Sequence, residues 1–493
     1  ADPRCRLTNR AIRNAIMYAV PDKNVPSLER AICWGLDHAI DRSKDLVHAA
    51  GPSREPGVPA GARSVRLKEA DLVQGRYLPA VAPTSNVVLL RGPQGVGKTF
   101  WLKETAMPAL RAQHPGARVL YITHRRSMAS QGCQRLGLPD YRDTKGTIHT
   151  DVSICVDSLY RINMEWNTEQ QFIILLDESE QVIRHLARGG TMNAEGRLRA
   201  HNAWRSVFDR ACAVVAMDAD LSTLTVKELD YACPHLGPCA DEAQMIRVDL
   251  PMKYEYKVSN TKNDVLAKMV ETYEKGQKVA VACQSRADAE TIAQMLQTLD
   301  RSRKVGLVTS RTLLQDEGKL ANENPTKYAS ECDALVYSPS WGTAVSVEAD
   351  GYTIYGFGCM GVGTSSDLLQ QLHRVRNPIT SEVVVYLPKG GKANERSEQD
   401  IVSICLQRGE WTQRMVRQYL PGIVLRSRVQ LTDQEMAERF ARVTVHQRNW
   451  GGDGGMLGDA FCTLVRHRGG HLEEVQELVS QPRLDVTEAK VAA

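Results

Sequence analysis

Gly92-Pro93-Gln94-Gly95-Val96-Gly97-Lys98-Thr99 is the stretch of sequence that decides the fold. It follows the apolar run Val87-Val88-Leu89-Leu90 and precedes Phe100-Trp101-Leu102, where a helix is expected to begin. This is the G-x-x-x-x-G-K-[ST] pattern in the strand–loop–helix context that gives it meaning. Backbone N–H groups of such a loop surround phosphates, and the next helix presents its positive N-terminal end to them. The stretch predicts a P-loop that binds a nucleoside triphosphate; the alternative is a glycine-rich turn that matches the pattern by chance.

Each residue of the pattern has an expected role in binding ATP and Mg²⁺, the two predicted cofactors. Gly92, Gly95 and Gly97 allow the backbone to curve closely around the phosphates. Lys98 is expected to reach the β- and γ-phosphates, and the hydroxyl of Thr99 is expected to hold Mg²⁺.

The composition is that of an ordinary globular protein. Hydrophobic residues make up 42% of the 493 residues and charged residues 24%, and a chain of this length has roughly two to four domains. The net charge of +4 permits a local basic groove but does not by itself indicate a nucleic-acid partner. No apolar run is long enough to span a membrane and the N-terminus lacks the apolar core of a signal peptide, so a cytoplasmic location is expected.

Two series of apolar runs follow one another along the chain, with helical stretches between the runs. The first series is Val87–Leu90, Arg118–Thr123, Ser153–Val156, Phe172–Asp177 and Ala213–Met217. The second series is Lys278–Cys283, Lys304–Thr309, Ala334–Ser338, Thr353–Phe357 and Glu382–Leu387. Runs that are apolar throughout and separated by helices are typical of strands buried on both faces of a parallel sheet. We therefore predict an α/β fold with two tandem parallel-sheet domains, of which only the first carries a P-loop.

Four segments are expected along the chain. Residues 1–64 form a helical N-terminal unit that ends in a linker rich in Pro and Gly, and residues 65–250 form the ATP-binding domain. Residues 251–390 form the second α/β domain, and residues 391–493 form a mainly helical C-terminal domain.

Acidic residues stand directly after the predicted strand Phe172–Leu176, in Asp177-Glu178-Ser179-Glu180. A P-loop site needs an acidic residue at the carboxyl end of a neighbouring strand to hold Mg²⁺, and a second carboxylate can polarise the attacking water. Asp177 fits the metal role and Glu178 fits the role of the base. A helix N-terminus capped by Asp177 is a second interpretation, and it is compatible with the first.

A predicted helix at Ser365–Asn377 carries Gln370-Gln371-Leu372-His373-Arg374-Val375-Arg376. Phosphoryl transfer needs positive charge near the transferred group, and an arginine from a second domain can supply it. Arg374 and Arg376 are expected to reach across the cleft between the two α/β domains when these close, which would couple hydrolysis to domain motion. The alternative is an ordinary basic helix face.

Taken together, these motifs resemble those of superfamily 2 helicases, and the resemblance covers roughly residues 70–390. The segments that resemble motifs I, Ia, II, IV, V and VI are Gly92–Thr99, Ile122–Arg126, Asp177–Glu180, Gln284-Ser285, Ser338–Ser346 and Gln370–Arg376, and Cys155–Leu159 falls where a further strand-contact motif is expected. The resemblance implies two RecA-like domains with helical extensions at both ends, ATP hydrolysis, and movement along one nucleic-acid strand.

Within this superfamily the sequence resembles replication proteins, namely the herpesvirus origin-binding protein and the helicase modules of plasmid, phage and mobile-element replication proteins. The segments that carry this resemblance are Gln74-Gly75-Arg76-Tyr77-Leu78, Thr123–Arg126, Met217-Asp218-Ala219-Asp220 and Leu372–Asn377. The resemblance implies that Gln74 and Arg76 contact the nucleotide. The role of Asp218 and Asp220 stays open between a coupling hydrogen bond and a turn.

Two departures from the family pattern concern the arginines of motif VI. His373 replaces the common Gly, and the second arginine comes one position earlier than in Q-x-x-G-R-x-x-R. Arg374 is therefore expected, ahead of Arg376, to be the arginine that completes the site.

Nucleic-acid contacts are expected where strands of both domains end, because ligands bind at the carboxyl edge of open parallel sheets. The residues expected to contact phosphates or bases are His124, Arg125, Arg126, Ser310, Arg311, Trp341 and Thr343. Trp341 is expected either to stack on a base or to pack inside the protein, and each exposed arginine either to bind a phosphate or to be solvated. Six arginines of the tail are expected to extend the basic surface: Arg414, Arg417, Arg426, Arg428, Arg466 and Arg468.

The sequence thus predicts an ATP-dependent helicase or translocase acting in DNA replication. Its expected partners are single-stranded or forked DNA and other replication proteins, with no membrane. Two alternatives stay open. One is an ATP-switched origin-binding or loading factor that separates no strands, and the other is an RNA helicase or a nucleic-acid-sensing defence ATPase.

Overall fold

The computed structural model describes most of the chain between residues 63 and 478. The described residues are 63–75, 77–162, 169–189, 191–192, 194–250, 252–341, 345–390, 397–406, 434–452, 457–475 and 478. The predicted helical unit at 1–64 lies outside them except for residues 63 and 64, which begin the first strand and do not belong to a linker. Both sheets described below belong to the same unit of the chain, Pro52–Ala493.

The first seven strands form one parallel sheet. Their bounds are β1 Arg63–Leu67, β2 Val87–Arg91, β3 Arg118–Thr123, β4 Val152–Cys155, β5 Phe172–Asp177, β6 Ala211–Asp218 and β7 Gln244–Val248. The strands lie in the order β1-β7-β2-β6-β5-β3-β4, and each neighbouring pair is parallel. The carboxyl ends of all these strands therefore meet at one edge, where the P-loop follows β2 and Asp177 ends β5.

Alternate side chains of these strands enter two separate cores, one on each face of the sheet. In β2, Val87 and Leu89 join one core, while Val88 and Leu90 join the other. All four side chains are at most 1% exposed. Burial of both faces explains why the strand is a continuous apolar run instead of an alternating one.

Helices pack on both faces of the first sheet. The first helix, α1 (98–113), contains a π-helical turn at Leu102–Ala106. The others are α2 Arg126–Leu136, α3 Ser179–Arg188, α4 Ala194–Phe208, α5 Thr223–Ala232 and α6 Cys239–Glu242. Trp101 of α1 enters one core, whereas Val182 of α3 and Trp204 of α4 enter the other.

The later strands form a second parallel sheet. Their bounds are β8 Glu255–Ser259, β9 Lys278–Cys283, β10 Val305–Val308, β11 Ala334–Tyr337, β12 Val347–Phe357, β13 Val375–Tyr386 and β14 His471–Glu474, in the order β10-β11-β9-β12-β13-β8-β14. The helices of this half are α7 Lys262–Glu274, α8 Arg286–Leu299, α9 Asp316–Glu323, α10 Pro325–Ser330 and α11 Ser365–Leu372. The prediction of an α/β fold with two tandem RecA-like parallel-sheet domains is confirmed.

The predicted helix Ser365–Asn377 is wrong in its second half. The helix α11 ends at Leu372, and β13 begins at Val375. Val375 pairs with Val347 of β12, so its backbone is committed to the sheet. Pro378 also disfavours a helical conformation for the residue before it.

Four strands were not predicted from the sequence: β1, β7, β8 and β14. They carry polar or charged side chains among few apolar ones, as in Arg63–Leu67 and His471–Glu474. β1 and β14 are the edges of their sheets, where a strand has no need of a continuous apolar run. Because β14 pairs with β8, the C-terminal segment is not wholly helical, and the exact domain boundaries stay a prediction.

The described helices of the C-terminal segment pack on different sheets. Helix α12 (Gln434–Asn449) lies against helices of the first sheet, where the buried Arg439 pairs with Glu228 at 2.7 Å. Helix α13 (Leu457–His467) enters the core of the second sheet through Phe461. Within the described ranges, no helix is both long and apolar enough to cross a membrane.

Candidate nucleotide-binding site

The P-loop has the backbone that its glycines predict. Gly95 and Gly97 have φ angles of 87° and 75°, in the left-handed region that side chains with a Cβ rarely adopt. A Cβ at Gly97 would also lie 2.7 Å from Cδ1 of Tyr77. The ammonium group of Lys98 donates to the carbonyl oxygen of Gly92 at 2.7 Å, which holds it inside the curve of the loop. The loop thus combines close backbone approach with a cation, as phosphate binding requires.

Asp177 and Glu178 lie beside the P-loop at the same edge of the sheet. The hydroxyl of Tyr121 donates to Oδ2 of Asp177, which fixes this carboxylate at the end of β5. Glu178 has φ 53° and ψ 54°, a left-handed conformation that is uncommon for a residue with a side chain and that occurs at functional sites. The backbone of Glu178 is therefore held in a strained conformation next to the phosphate-binding loop.

The carboxyl group of Glu178 is buried and faces the cleft. Its Oε2 atom has no hydrogen-bond partner among the described residues. Burial, followed by the charge of Asp218, raises the pKa of Glu178 to about 8. At this pKa the carboxyl group is mostly protonated at neutral pH, so it accepts a proton from water only in its ionised form, which becomes the major form above about pH 8.

Asp218 and Asp220, whose role the sequence left open, take part in a hydrogen-bond network. Oδ2 of Asp218 accepts from the backbone N–H of Glu180 at 3.0 Å, and Oδ1 accepts from the N–H of Asp220 at 2.9 Å. Oδ2 of Asp220 in turn accepts a hydrogen bond from the hydroxyl of Ser366, which lies on α11 of the second domain. The two aspartates therefore form both a turn and a hydrogen-bonded connection between the domains.

A cleft of 1210 Å³ lies in front of these groups. Among its lining residues are Gly75, Tyr77, Gln94, Gly95, Gly97, Lys98, Thr99, Asp177, Glu178, Ala219, Ser346, His373, Arg376 and Arg468. Lining residues come from both sheets, so the cleft is a space between the two domains. Of the residues expected to contact the nucleotide ahead of the P-loop, Gln74 is exposed with φ 55° and does not line this cleft, and Arg76 lies outside the described residues.

Arg374 and Arg376 occupy different environments, because the helix ends before them. Arg374 is 2% exposed, and its guanidinium lies 5.6 Å from the ring centre of Tyr337. Burial lowers the pKa of Arg374 to about 10, so it stays charged at neutral pH. Arg376 lines the cleft, where it donates to Oγ of Ser346 at 3.1 Å and to Oε1 of Gln94 in the P-loop at 3.5 Å. Arg376 therefore faces the P-loop, whereas Arg374, the arginine expected to complete the site, is buried.

Two further contacts connect the helix after the acidic pair to the second domain. Arg184 of α3 forms two hydrogen bonds of 2.9 Å with the carboxylate of Asp367 on α11. The amide of Gln181 donates to Oε1 of Gln370 at 3.1 Å. Burial alone would raise the pKa of Asp367, but the charge and hydrogen bonds of Arg184 hold it well below its ordinary value. Helix α3, which follows the acidic pair, is thus joined to α11 by an ion pair.

We expect Asp367→Asn to lower the free energy of unfolding by about 2 kcal/mol, because it removes the charge of a largely buried pair of hydrogen bonds. The pKa of Asp367 is depressed in the folded state, so this contribution is full above about pH 4, the pKa of an unfolded aspartate, and is lost progressively as the pH falls from there through the lower folded pKa. Urea unfolding at pH 7 and pH 3 checks both points. Asp316→Asn, which breaks an exposed pair with Lys319, is the matched control and should cost less than about 1 kcal/mol. Equal losses of unfolding free energy in Asp367→Asn and Asp316→Asn would contradict the conclusion that the pair of Arg184 and Asp367 is a buried, stabilising ion pair.

The predicted nucleic-acid contacts divide into two groups. Arg126, Ser310 and Arg311 are exposed and follow strands of the two sheets. Arg125 donates to the carbonyl oxygen of Pro339 at 3.2 Å and so joins the domains, and the buried His124 accepts a hydrogen bond from Nε of Arg125 at 3.0 Å. Burial lowers the pKa of His124 well below its ordinary value, which keeps the ring neutral.

Two expectations about the basic or aromatic surface are corrected. Trp341 is fully buried: its indole N–H donates to the carbonyl oxygen of Ala321 at 3.3 Å and its ring packs against Tyr337, so it stacks on no base. Arg468 extends no surface, because it points into the cleft. Thr343 and the tail arginines at 414, 417, 426 and 428 lie outside the described residues.

The chemistry of the site fits Mg²⁺. Thr99 and Asp177 line the same cleft and supply a hydroxyl and a carboxylate, the oxygen ligands that Mg²⁺ prefers. In the part of the chain that the structure describes, no group of three or more His, Cys, Asp or Glu could hold a metal by itself. In sites of this kind Mg²⁺ is held by one or two carboxylates together with substrate phosphates.

The fold and the site define a P-loop protein with two tandem RecA-like domains. No protein-family model matches the sequence, and no curated protein matches it significantly.

Among solved structures, the chain is similar to S. cerevisiae Dbp5 bound to RNA and ADP BeF3, with 11% identity over 63% of this chain and 81% of that chain and a TM-score of 0.44. It is also similar to T. fusca Cas3 with AMPPNP, with 14% identity over 88% and 62% of the two chains and a TM-score of 0.45. A third is the Mycobacterium smegmatis helicase Lhr bound to ssDNA and AMP-PNP, with 13% identity over 74% and 52% and a TM-score of 0.39. Similarities this remote do not show what this chain binds, and its fold class follows from its own strand order.

Proposed function

We propose that this protein is an ATP-driven motor of the superfamily 2 helicase type that moves along nucleic acid. The observation that supports the proposal best is the cleft. The P-loop, Asp177 and Glu178 of the first domain face Arg376 of the second domain, which already contacts Gln94 of the P-loop. Hydrolysis in such a site depends on how the two domains are placed, which is what a motor requires.

Each group has one role in the proposed reaction. Lys98 binds the β- and γ-phosphates, while Thr99 and Asp177 hold Mg²⁺, which neutralises charge on the phosphates when it is bound. Glu178 accepts a proton from the water whose oxygen attacks the γ-phosphorus, and the bond to the bridging oxygen of ADP breaks. Arg376 stabilises the negative charge that develops on the transferred group.

In this proposal, helix α3 couples the motion of the two domains to Asp177 and Glu178. Arg184 and Gln181 connect that helix to Asp367 and Gln370 of the second domain. Opening of the cleft must break these contacts, and closure must form them again. Each ATP cycle therefore changes the distance between the two surfaces that hold the strand.

We propose single-stranded DNA as the substrate and replication as the process, with Arg126, Ser310 and Arg311 among the residues that contact phosphates. Thr343 belongs to the same proposal, although it lies outside the described residues. An ATP-switched loading factor, an RNA helicase and a defence ATPase share the same site, so the polymer that stimulates hydrolysis is the deciding property.

The test is ATP hydrolysis by the purified protein alone and with single-stranded DNA, duplex DNA or single-stranded RNA, followed by strand separation on tailed forks. Stimulation by single-stranded DNA together with unwinding supports the DNA motor. Stimulation by RNA alone assigns the protein to RNA. Stimulation without unwinding supports a translocase that separates no strands. Turnover indifferent to every polymer contradicts the motor and favours an ATP-switched loading factor.

For the exposed arginines, we expect Arg126→Ala and Arg311→Ala to weaken binding to all DNA sequences alike. Each loss of a phosphate contact should reduce the slope of log affinity against log salt by about 0.7. Fluorescence anisotropy with a labelled single strand at several salt concentrations measures both quantities. Arg301→Ala, which removes another exposed arginine of the second domain, is the control and should leave the slope unchanged. An unchanged salt slope in Arg126→Ala and Arg311→Ala would show that these two residues do not contact the nucleic acid.

A further inference from the structure

The turn between α13 and β14 belongs firmly to the second domain. Helix α13 enters the core of the second sheet through Phe461 and Val465, and β14 pairs with β8. Gly469 has φ 70°, and a Cβ at Gly470 would lie 2.8 Å from Sδ of Met252. The elements on both sides of Arg468 are therefore packed in the second domain, so the residue is carried with that domain.

From this turn, the side chain of Arg468 crosses to the first domain. It is 16% exposed, and its guanidinium donates to Oδ1 of Asp220, in the turn after β6. Asp220 is 7% exposed, and its other oxygen accepts from Ser366. One nearly buried carboxylate of the first domain is thus held by two donors of the second, one from α11 and one from the C-terminal segment.

Asp220 is linked to the reacting groups through two backbone hydrogen bonds. Its N–H donates to Asp218, and Asp218 accepts from the N–H of Glu180, in the first turn of the helix after Glu178. A shift of Asp220 therefore displaces the groups that fix the strained backbone of Glu178. Arg468 itself lines the same cleft as Glu178.

We propose that Arg468 is a positioning residue of the ATP site: by holding Asp220 across the cleft, it makes hydrolysis depend on docking of the C-terminal segment. The inference rests on the proposed function, because it assigns Arg468 to that reaction. The segment that ends the chain is then part of the hydrolytic machinery, and any ligand that displaces its turn slows turnover.

The test compares Arg468→Ala, Arg468→Lys and Asp220→Asn in the full chain, with ATP turnover measured at saturating single-stranded DNA. We expect Arg468→Ala to lower kcat about tenfold and to change the KM for ATP less than about twofold. Arg468→Lys keeps the charge and should recover part of the loss. In the Asp220→Asn background, Arg468→Ala should cost less than about a further twofold, since the pair is already broken. Arg301→Ala, which removes an exposed arginine of the second domain, should keep kcat within about twofold of wild type.

Three results would overturn the inference: wild-type kcat in Arg468→Ala, a raised KM with unchanged kcat, or the full tenfold loss in the Asp220→Asn background. The second of these would make Arg468 a direct nucleotide contact. Failure of the proposed function is seen separately, in wild-type protein that DNA does not stimulate. If the wild-type protein hydrolyses no ATP, amide hydrogen exchange tests the inference instead. We expect Arg468→Ala to increase the exchange rate of the amides at residues 218–224 and 364–372. Unchanged exchange rates there would overturn the inference.

Discussion

Arg376→Ala is expected to lower kcat for ATP about 10³-fold, the lower end of the range for an arginine supplied to a phosphoryl-transfer site. Arg376 lines the cleft and contacts Gln94 of the P-loop, so its guanidinium is a cation of the second domain that reaches the phosphate-binding loop. The charge it stabilises develops in the transition state, so the affinity for ATP should change far less than kcat. Steady-state turnover and equilibrium binding of a fluorescent ATP analogue measure the two effects.

Two further variants test whether the loss of turnover is specific to the guanidinium group of Arg376. Arg376→Lys keeps the charge but loses the planar donor group and should recover little of the rate. Arg301→Ala removes an exposed arginine of the same domain and should retain wild-type turnover. Arg376→Ala protein that keeps more than about a tenth of the wild-type kcat would contradict the assignment, since the loss of such a group costs at least 10³-fold.

Glu178→Gln is expected to lower kcat by about 10²- to 10⁴-fold while ATP still binds, because the amide occupies the same space but accepts no proton. The raised pKa of Glu178 follows from burial, and the neutral amide tolerates that burial, so the fold should keep its stability. A single-turnover assay should show bound ATP that persists unhydrolysed.

The neighbouring residue provides the matched control. Asp177→Asn removes a ligand of Mg²⁺, so its defect should appear chiefly as a raised requirement for Mg²⁺. Glu178→Gln should keep the wild-type requirement. If Glu178→Gln hydrolyses ATP at near wild-type rates, Glu178 is not the base, and its strained backbone has another cause.

The fold was largely predictable because its signals are local. The P-loop, the strand Arg118–Thr123 and the strand Phe172–Asp177 stand in the structure where the sequence predicts them, since both faces of these strands are buried and the runs are apolar throughout. The edge strands β1 and β14 carry no such signal. Their positions depend on pairing with strands that are distant along the chain.

The site was less predictable because it depends on tertiary contacts. The order of Arg374 and Arg376 depends on where helix α11 ends, and a helix boundary is a weak local signal. Trp341 is placed by the core of the second domain, which its position in a motif loop does not reveal. Arg468 meets Asp220 across 248 positions of sequence, and only the three-dimensional structure brings the two together.

The most direct test of the account is ATP turnover by the wild-type protein and by Lys98→Ala, each with and without saturating single-stranded DNA. We predict that DNA increases wild-type kcat and that Lys98→Ala loses at least about 100-fold, because it removes the cation of the phosphate-binding loop. Lys98→Ala should still bind the DNA. Turnover that does not respond to DNA, or that survives the loss of Lys98, would contradict the conclusion that this cleft drives a nucleic-acid motor.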